Sequence, residues 1–313
     1  NFKKVKIGLF PPSTTLLDAS ITIKKVKIKA EEVGMFFGWY DLFTRSKLKA
    51  DEVYIKNGKV DLTSLPGGNK KKDLKELKND LLQLISRENI HEKLYYYFKK
   101  VFPIEISNIH LEQTLVLDTN KTWDISKLTL GIYKTAVLID LQLGNLNIAP
   151  EEIIDSLTLN AQLTKKGLRI IDFDIRYENT GLTGMLELTL SNKVKIEGKI
   201  QVITRDLGLL SAKLNIFRKI NLEGKGLFKI DIRGSLEDPM VKVEAEVENC
   251  KSTYLDAKNI TFSILKTGNE ISLNNLEVRN NNEFLQLTER VDIYNLQEKK
   301  LHEFELGLYF RNL

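Results

Sequence analysis

The chain has 313 residues, of which 42% are hydrophobic and 28% are charged, a composition that excludes both a disordered protein and an integral helical membrane protein. Its 47 basic and 42 acidic residues give a net charge of +5, which is too weak an asymmetry for a nucleic-acid-binding surface. One cysteine, Cys250, excludes an internal disulfide, and no apolar run reaches the roughly 18 residues of a transmembrane helix.

Residues 1–65 predict an N-terminal β module, because apolar residues alternate with polar ones from Val5 onward. The alternation slips at Lys24-Lys25, which predicts a β-bulge. Asn57-Gly58 predicts a two-residue hairpin turn, since this dipeptide favours the positive φ angles of such turns. Residues 34–43 form an aromatic-rich knot that allows either a helical turn or a tight loop.

Residues 66–103 predict an amphipathic helical insert. Leucines recur at spacings of three and four after Asp73, a plausible N-cap, and Pro103 ends the pattern. The helical segment near residues 71–101 has a lysine-rich polar face. It is interpreted either as a cover for one end of a sheet or as a membrane-surface or partner helix.

Residues 104–313 predict an almost unbroken series of strands without βαβ alternation, and we count roughly 15 or more consecutive strands. Phase slips after Ile125 and at Asn274-Asn275 predict further bulges. Residues 205–214 predict a helical turn, followed by a short strand at 217–222. The chain ends within an alternating run, so we expect it to be a segment of a longer protein.

The stretch Gly226–Ile264 shows the β pattern most clearly. Apolar residues occupy every second position of three runs, and charged residues lie between them. A period of two places the two classes on opposite faces of a strand. This stretch therefore predicts an antiparallel meander with one face hidden from water.

Catalytic chemistry is not indicated anywhere in the chain. His91, His110 and His302 lack the spacing of metal ligands, and no phosphate loop or nucleophile motif occurs. The paired acids at Asp172/Asp174 and in the run from Glu244 to Glu248 alternate with apolar residues, as expected for solvated strand faces. We predict a non-enzymatic protein without a metal or cofactor.

The apolar face admits three interpretations. A closed outer-membrane barrel would turn it to lipid, but its aromatic girdles are missing here. A sandwich or solenoid would bury it against protein. A curled sheet would leave it as an open groove, an apolar patch too large for a soluble monomer without a ligand. We predict the third: a mainly β, long antiparallel meander curled into an elongated open groove, with the helical segment near 71–101.

The stretch GKGLFKIDIRGSLEDPMVKVEAEVENC resembles segments of AsmA-like and TamB-like proteins of diderm bacteria. The stretch LLDASITIKKVKIKAEEVGMFFGWYDLFTRSKLKADEVYIKNGKVDLTSL is similar to their N-terminal module, whereas the helical insert has no counterpart in them. The resemblance implies a β-groove protein of the periplasm, held at the inner membrane by a segment outside this chain. It also implies phospholipid or another acyl lipid as cargo, and inner-membrane and outer-membrane proteins as partners at the two ends.

The functional prediction is non-enzymatic transport of phospholipid between the two membranes, with no nucleic-acid partner. The alternative is a structural or assembly scaffold for outer-membrane β proteins, in which the apolar face is closed by protein. A carbohydrate-binding solenoid is a weaker third hypothesis. The predicted lining of the groove consists of apolar alternating residues: Ile21, Ile23, Ile139, Leu141, Leu159, Phe173, Ile175, Leu188, Ile196, Phe228, Ile230, Ile232, Val241, Val243, Val247, Ile260, Phe262 and Ile264.

Overall fold

The fold is taken from a computed structural model, which describes residues 1–23, 26–38, 49–61, 63, 105–117, 122–149, 152–191, 193–213, 222–252, 256–281, 283–287, 289–295, 300–301 and 308–312. The predicted helix at 71–101, the predicted strand at 217–222 apart from Leu222, and residues 39–43 of the aromatic knot lie outside these residues. Residues 34–37 of the knot belong to a strand that ends at Phe37, so the predicted helical turn or tight loop is wrong there. The described chain is mainly β, with 19 strands, and divides into two compact units, Asn1–Ile175 and Arg176–Leu313.

The first unit is an open sheet of long strands. Its strands are β1 (Lys4–Leu9), β2 (Pro12–Ile23), β3 (Val26–Phe37), β4 (Lys49–Asp61), β5 (Glu105–Leu117), β6 (Thr122–Ile132), β7 (Ala136–Ala149), β8 (Glu152–Thr164) and β9 (Gly167–Tyr177), the last of which reaches the boundary between the units. From β1 to β8 each strand pairs with the next one along the chain.

The pairing of β4 with β5 is parallel, unlike the other pairings of the first unit. A parallel pair needs a crossover connection of a dozen or more residues, and residues 62–104 separate these two strands. The compact units differ from the predicted division at 66–103, because the strands on either side of that segment pair with each other.

The second unit contains β10 (Thr180–Thr189), β11 (Lys195–Thr204), β12 (Glu223–Ser235), β13 (Pro239–Lys251), β14 (Asp256–Thr267), β15 (Glu270–Asn280), β16 (Glu283–Leu287), β17 (Val291–Asn295), β18 (Lys300–Leu301) and β19 (Leu308–Asn312). Strands β10 to β15 pair in sequence order, and all are antiparallel. β15 then pairs with both β16 and β17, which pair in turn with β19 and β18.

A short helix, α1 (Leu207–Lys213), lies between β11 and β12 and confirms the predicted helical turn. Its first turn is held by Asp206, whose carboxylate accepts a hydrogen bond from the Leu209 backbone N–H at 2.9 Å. No helix among the described residues is both long and apolar enough to pass through a bilayer.

One extra residue interrupts the alternation in each strand from β2 to β8. Its level matches in β2 to β6 and lies two residues further along in β7 and β8, and we name this line the first crease. Four of these strands carry a residue with positive φ there: Asp18, Asn57, Gln113 and Asn145. A bulge bends its strand, so bulges aligned on neighbouring strands bend the sheet along one line. Across the crease, residues of the apolar face are three positions apart instead of two, as with Leu16 and Ala19.

A second crease crosses β12 to β14 in the second unit. Gly224, with a φ of 127°, lies opposite Asn249, with a φ of 50°, where the register between the two strands shifts. Across it, Val247 and Cys250 are again three positions apart and both are buried.

Two turn predictions are wrong. The first placed a bulge within one strand at Lys24-Lys25. These two lysines lie outside the described residues, and the separate strands that end at Ile23 and begin at Val26 pair with each other in antiparallel fashion. Asn57-Gly58 lies inside the single strand β4 rather than in a hairpin turn, and Asn57 is part of the first crease. The bulge after Ile125 is confirmed, because the register shifts between Ile125 and Lys127.

The slip at Asn274-Asn275 is confirmed as well. Ser263 pairs with Asn275 and Ile264 pairs with Leu273, so Asn274 of β15 has no partner in this register. The predicted fold class is confirmed: the described strands form a mainly β meander that is not closed into a barrel.

Candidate functional site

The candidate site of the first unit is the apolar face of its sheet, where two rows of side chains run across eight strands. The inner row is aliphatic throughout and lies beside the first crease in β2 to β6: Val5, Leu16, Val33, Ile55, Leu111, Leu128, Leu141 and Leu159. The outer row lies two residues further from the crease: Ile7, Thr14, Met35, Val53, Ile109, Leu130, Ile139 and Ala161. Strands are about 4.8 Å apart, so each row extends about 33 Å.

A third row forms the other wall of the first crease and contains Ile21, Ile28, Val60, Val116 and Trp123. Side chains of the two walls pack on the crease itself, where Leu16 and Ile21 belong to the same apolar cluster. Residues from both walls therefore contact the same buried side chains at the crease.

The residues at the bottom of the crease are small or buried. Ala19 is 3% exposed and Thr114 is 0% exposed, and Ala30 and Gly58 share their row. Sequence alternation missed them because the extra residue shifts the phase. The signal that identifies them is the three-residue spacing, as between Ile55 and Gly58 or between Leu111 and Thr114.

The apolar face of the second unit brings together most of the predicted groove residues. Two rows cross six strands each: Gly184, Ile200, Ile230, Val243, Ile264 and Leu273; then Leu182, Val202, Phe228, Ala245, Phe262 and Leu276. Val247 pairs with Ile260, Ile232 with Val241, and Leu188 with Ile196, all on the same face. Most of these side chains are half-buried.

The other predicted lining residues belong to the first unit. Ile21, Ile139, Leu141 and Leu159 lie in the rows described above. Phe173 and Ile175 are half-buried and share one face of β9. Ile23 pairs with Val26, and its side chain lies outside the described residues.

Helix α1 covers the second crease. Leu207 is buried in one cluster with Val247, Cys250, Ala257 and Ile260. Burial raises the pKa of the Cys250 thiol, with a further contribution from the charge of Asp256. In the part of the chain that the structure describes, the clusters of buried apolar side chains consist of strand residues and this one helical leucine.

The opposite face of each sheet is polar. Lys127 pairs with Asp140 at 2.9 Å, and a hydrogen bond from Lys242 lowers the pKa of Glu244. A concavity of about 1010 Å³ lies on this face of the second unit and is lined by Glu246, Glu248, Glu277 and Glu283 among others. Its carboxylates make it unsuitable for an acyl chain, since a charge next to hydrocarbon is costly to desolvate.

Polar groups among the described residues of the first unit form cross-strand links. His110 Nδ1 lies 2.9 Å from Thr129 Oγ1, and its Nε2 lies 3.8 Å from Glu52. Tyr54 donates to Glu32 at 2.7 Å, and its ring crosses Gly34, where a Cβ would lie 2.0 Å from it. Among the described residues no group of three or more His, Cys, Asp or Glu side chains could hold a metal ion.

The geometry defines an open β-sheet protein whose distinctive surface is an apolar face bent along a crease. Comparison with protein-family models, curated proteins and solved structures finds no match for this chain. The likeness to AsmA-like and TamB-like proteins therefore stays a prediction based on the stretches quoted above.

Proposed function

We propose that the apolar face carries the acyl chains of phospholipid, as a non-enzymatic conduit of the cell envelope. The observation that supports this most directly is the outer row of the first unit. Its large side chains are half-buried or exposed, although the row contains seven apolar residues and only one polar one, Thr14. An apolar row of this length that no described element covers is unfavourable in water and favours a hydrocarbon ligand.

The direction of transport in this proposal is perpendicular to the strands. Apolar residues continue from strand to strand along a row. An acyl chain moving along a row exchanges one aliphatic wall for another at every step of about 4.8 Å. The head group stays in water at the rim, and the periplasm between two membranes is the compartment that this function requires.

A charge on the outer row tests the proposal. Ile139→Asp places a carboxylate in the acyl path, and Leu138→Asp makes the same change one residue away on the opposite face. Native mass spectrometry of gently purified protein should detect phospholipid on the wild type and on Leu138→Asp, and at least tenfold less on Ile139→Asp. Ile230→Asp and Ile203→Asp form the equivalent pair in the second unit.

Circular dichroism of each pair establishes that the variants are equally folded. Equal lipid content in Ile139→Asp and the wild type would contradict the proposal, as would wild-type protein that carries no lipid under several mild detergents.

The second candidate function is an assembly scaffold with a dry apolar interior. One observation favours it: the bottom of the first crease is closed by its own side chains, with Ala19 and Thr114 almost fully buried. In that case lipid is absent from purified protein, and a β-rich client protein is the partner to be captured by cross-linking.

A further inference from the structure

Strand β1 has an edge on which no other described strand of the first unit pairs, together with an unusual density of exposed apolar side chains. Ile7 is 75% exposed, Leu9 is 68% exposed and Phe10 is 86% exposed, and Phe2 and Val5 are exposed as well. Large exposed apolar residues elsewhere in the described chain are dispersed, as on the surface of ordinary soluble proteins. A concentration of five within ten residues indicates a contact surface.

The exposed side chains continue the apolar face of the first unit to its edge. Val5 pairs with Leu16 and extends the inner row, and Ile7 pairs with Thr14 and extends the outer row. Within the first unit, β2 is the one described strand that pairs with β1. The edge is therefore the rim at which the apolar face meets its surroundings.

The same strand is strongly basic. Residues 1–10 contain Lys3, Lys4 and Lys6 and no acidic residue, and all three lysines are exposed. Lys4 and Lys6 alternate with Val5 and Ile7, so cations and apolar groups occupy opposite faces of one strand. Lys3 pairs with Asp18 at 3.0 Å, and both side chains remain in contact with solvent.

The positive charge of β1 distinguishes between two possible partners of its edge, a second copy of the chain and an anionic bilayer. Pairing with β1 of a second copy would bring lysines of both strands onto one face without an acidic partner, and like charges on neighbouring strands are unfavourable. An anionic bilayer surface matches both features, since it offers hydrocarbon to the apolar groups and phosphate to the cations.

We propose that the β1 edge docks on the surface of an anionic phospholipid bilayer. The side chains of Phe2, Ile7, Leu9 and Phe10 enter the boundary of the acyl layer, and the three lysines contact head groups. This inference goes beyond transport, since the edge can bind a membrane whether or not the apolar face carries lipid.

Vesicle flotation of the full chain tests the docking. We expect binding to vesicles of phosphatidylcholine with one quarter phosphatidylglycerol, little binding to phosphatidylcholine alone, and weaker binding in 0.5 M salt (about a 4 Å screening length). Lys4→Glu/Lys6→Glu should lower the partition coefficient at least about tenfold, because each cation near an anionic surface contributes about a fivefold factor. Ile7→Asp/Leu9→Asp should lower it by a similar factor.

Two control variants leave the edge intact. Lys165→Glu/Lys166→Glu changes the same charge in the exposed turn after β8, and Ile203→Asp places a carboxylate on another exposed apolar residue. Both should bind vesicles as the wild type does. Equal loss of binding in controls and edge variants, or edge variants that bind normally, would overturn the proposal.

Analytical ultracentrifugation tests whether a second copy of the chain occupies the β1 edge instead. A dimer that Ile7→Asp/Leu9→Asp dissociates would show that the edge joins two copies, and would also overturn the proposal. Native mass spectrometry separates this result from the transport proposal, because Lys4→Glu/Lys6→Glu should keep its co-purified phospholipid.

Discussion

The two creases bury their apolar residues in different ways. At the first crease, small side chains such as Ala19 and Ala30 lie at the bottom and larger ones from both walls pack over them. At the second crease, Cys250 and Ala257 are small too, but a separate element, helix α1, covers them with Leu207. The first crease is therefore closed by the sheet itself, and the second depends on a helix of seven residues in the connection between two strands.

The comparison teaches that a single-layer sheet can exclude water locally by bending. Elsewhere on the same faces, large apolar side chains stay half-exposed. The closed crease and the open walls of the sheet thus lie side by side. The buried residues of the crease stabilise the fold, and the half-exposed residues of the walls are available to a ligand.

The largest expected effect is that of Leu207→Ala, which removes the cover of the second crease. Truncating a buried leucine costs about 2–5 kcal/mol, through lost burial and the cavity that remains. Hydrogen exchange by mass spectrometry should show faster exchange in β13 and β14 and unchanged exchange in β2 to β5. Loss of protection in both units together would show that the second crease does not unfold by itself.

Ala30→Leu should have the next largest effect, since it adds three carbon atoms to a filled crease. Overpacking of this kind costs about 1–3 kcal/mol. Lys29→Leu is the matched control, because it adds the same side chain on the exposed face of β3 and should stay within about 0.5 kcal/mol. Urea denaturation measures the free energy of unfolding of both variants. Equal midpoints would show that the first crease can accommodate a larger side chain.

Asn57→Val tests whether the bend itself requires its backbone geometry. Asn57 has a φ of 49°, a conformation that costs a β-branched residue about 1–2 kcal/mol. Asn57→Gly should be close to neutral, because it loses only an exposed hydrogen bond of 2.7 Å to Glu31 and gains backbone freedom. The order of thermal midpoints should be wild type and Asn57→Gly above Asn57→Val, and the reverse order would contradict a left-handed residue at the crease.

The smallest effect is a pH dependence that comes from the thiol of the second crease. Because burial raises the pKa of the Cys250 thiol, the unfolded chain loses this proton at a lower pH than the folded one. The contribution is fully present below the unfolded pKa of about 8.5 and decreases as the pH rises through the folded value. Cys250→Ala should show a shallower loss of stability between pH 8 and 10, and identical slopes would contradict the buried thiol.

Much of the fold could be predicted because alternation is a local signal with a period of two. The rows through Ile230 and Phe228, and the bulges after Ile125 and at Asn274, follow from it directly. Asn57-Gly58 could not be assigned locally, since asparagine with positive φ serves a hairpin turn and a bulge equally well. The pairing of Gly58 with Ala30 on the neighbouring strand decides between them.

The parallel pairing of β4 with β5 and the buried row at the first crease depend on partners distant in sequence. Thr114 illustrates this, because a threonine between Gln113 and Leu115 gives no sign of complete burial until Gly58 and Ile125 are placed beside it. The apolar face itself was predictable, whereas the division of that face into closed crease and open wall was not.

The extra residue in each strand of the first crease also fixes the register of that strand against its neighbours. Deleting Asn57 would move every side chain of β4 beyond it to the opposite face, since one residue reverses the alternation. A hairpin without the extra residue could not keep its apolar residues on one face if it were inserted between two strands that contain it. Lengthening of such a sheet, by gene duplication or by design, therefore has to copy the interruption together with the strands.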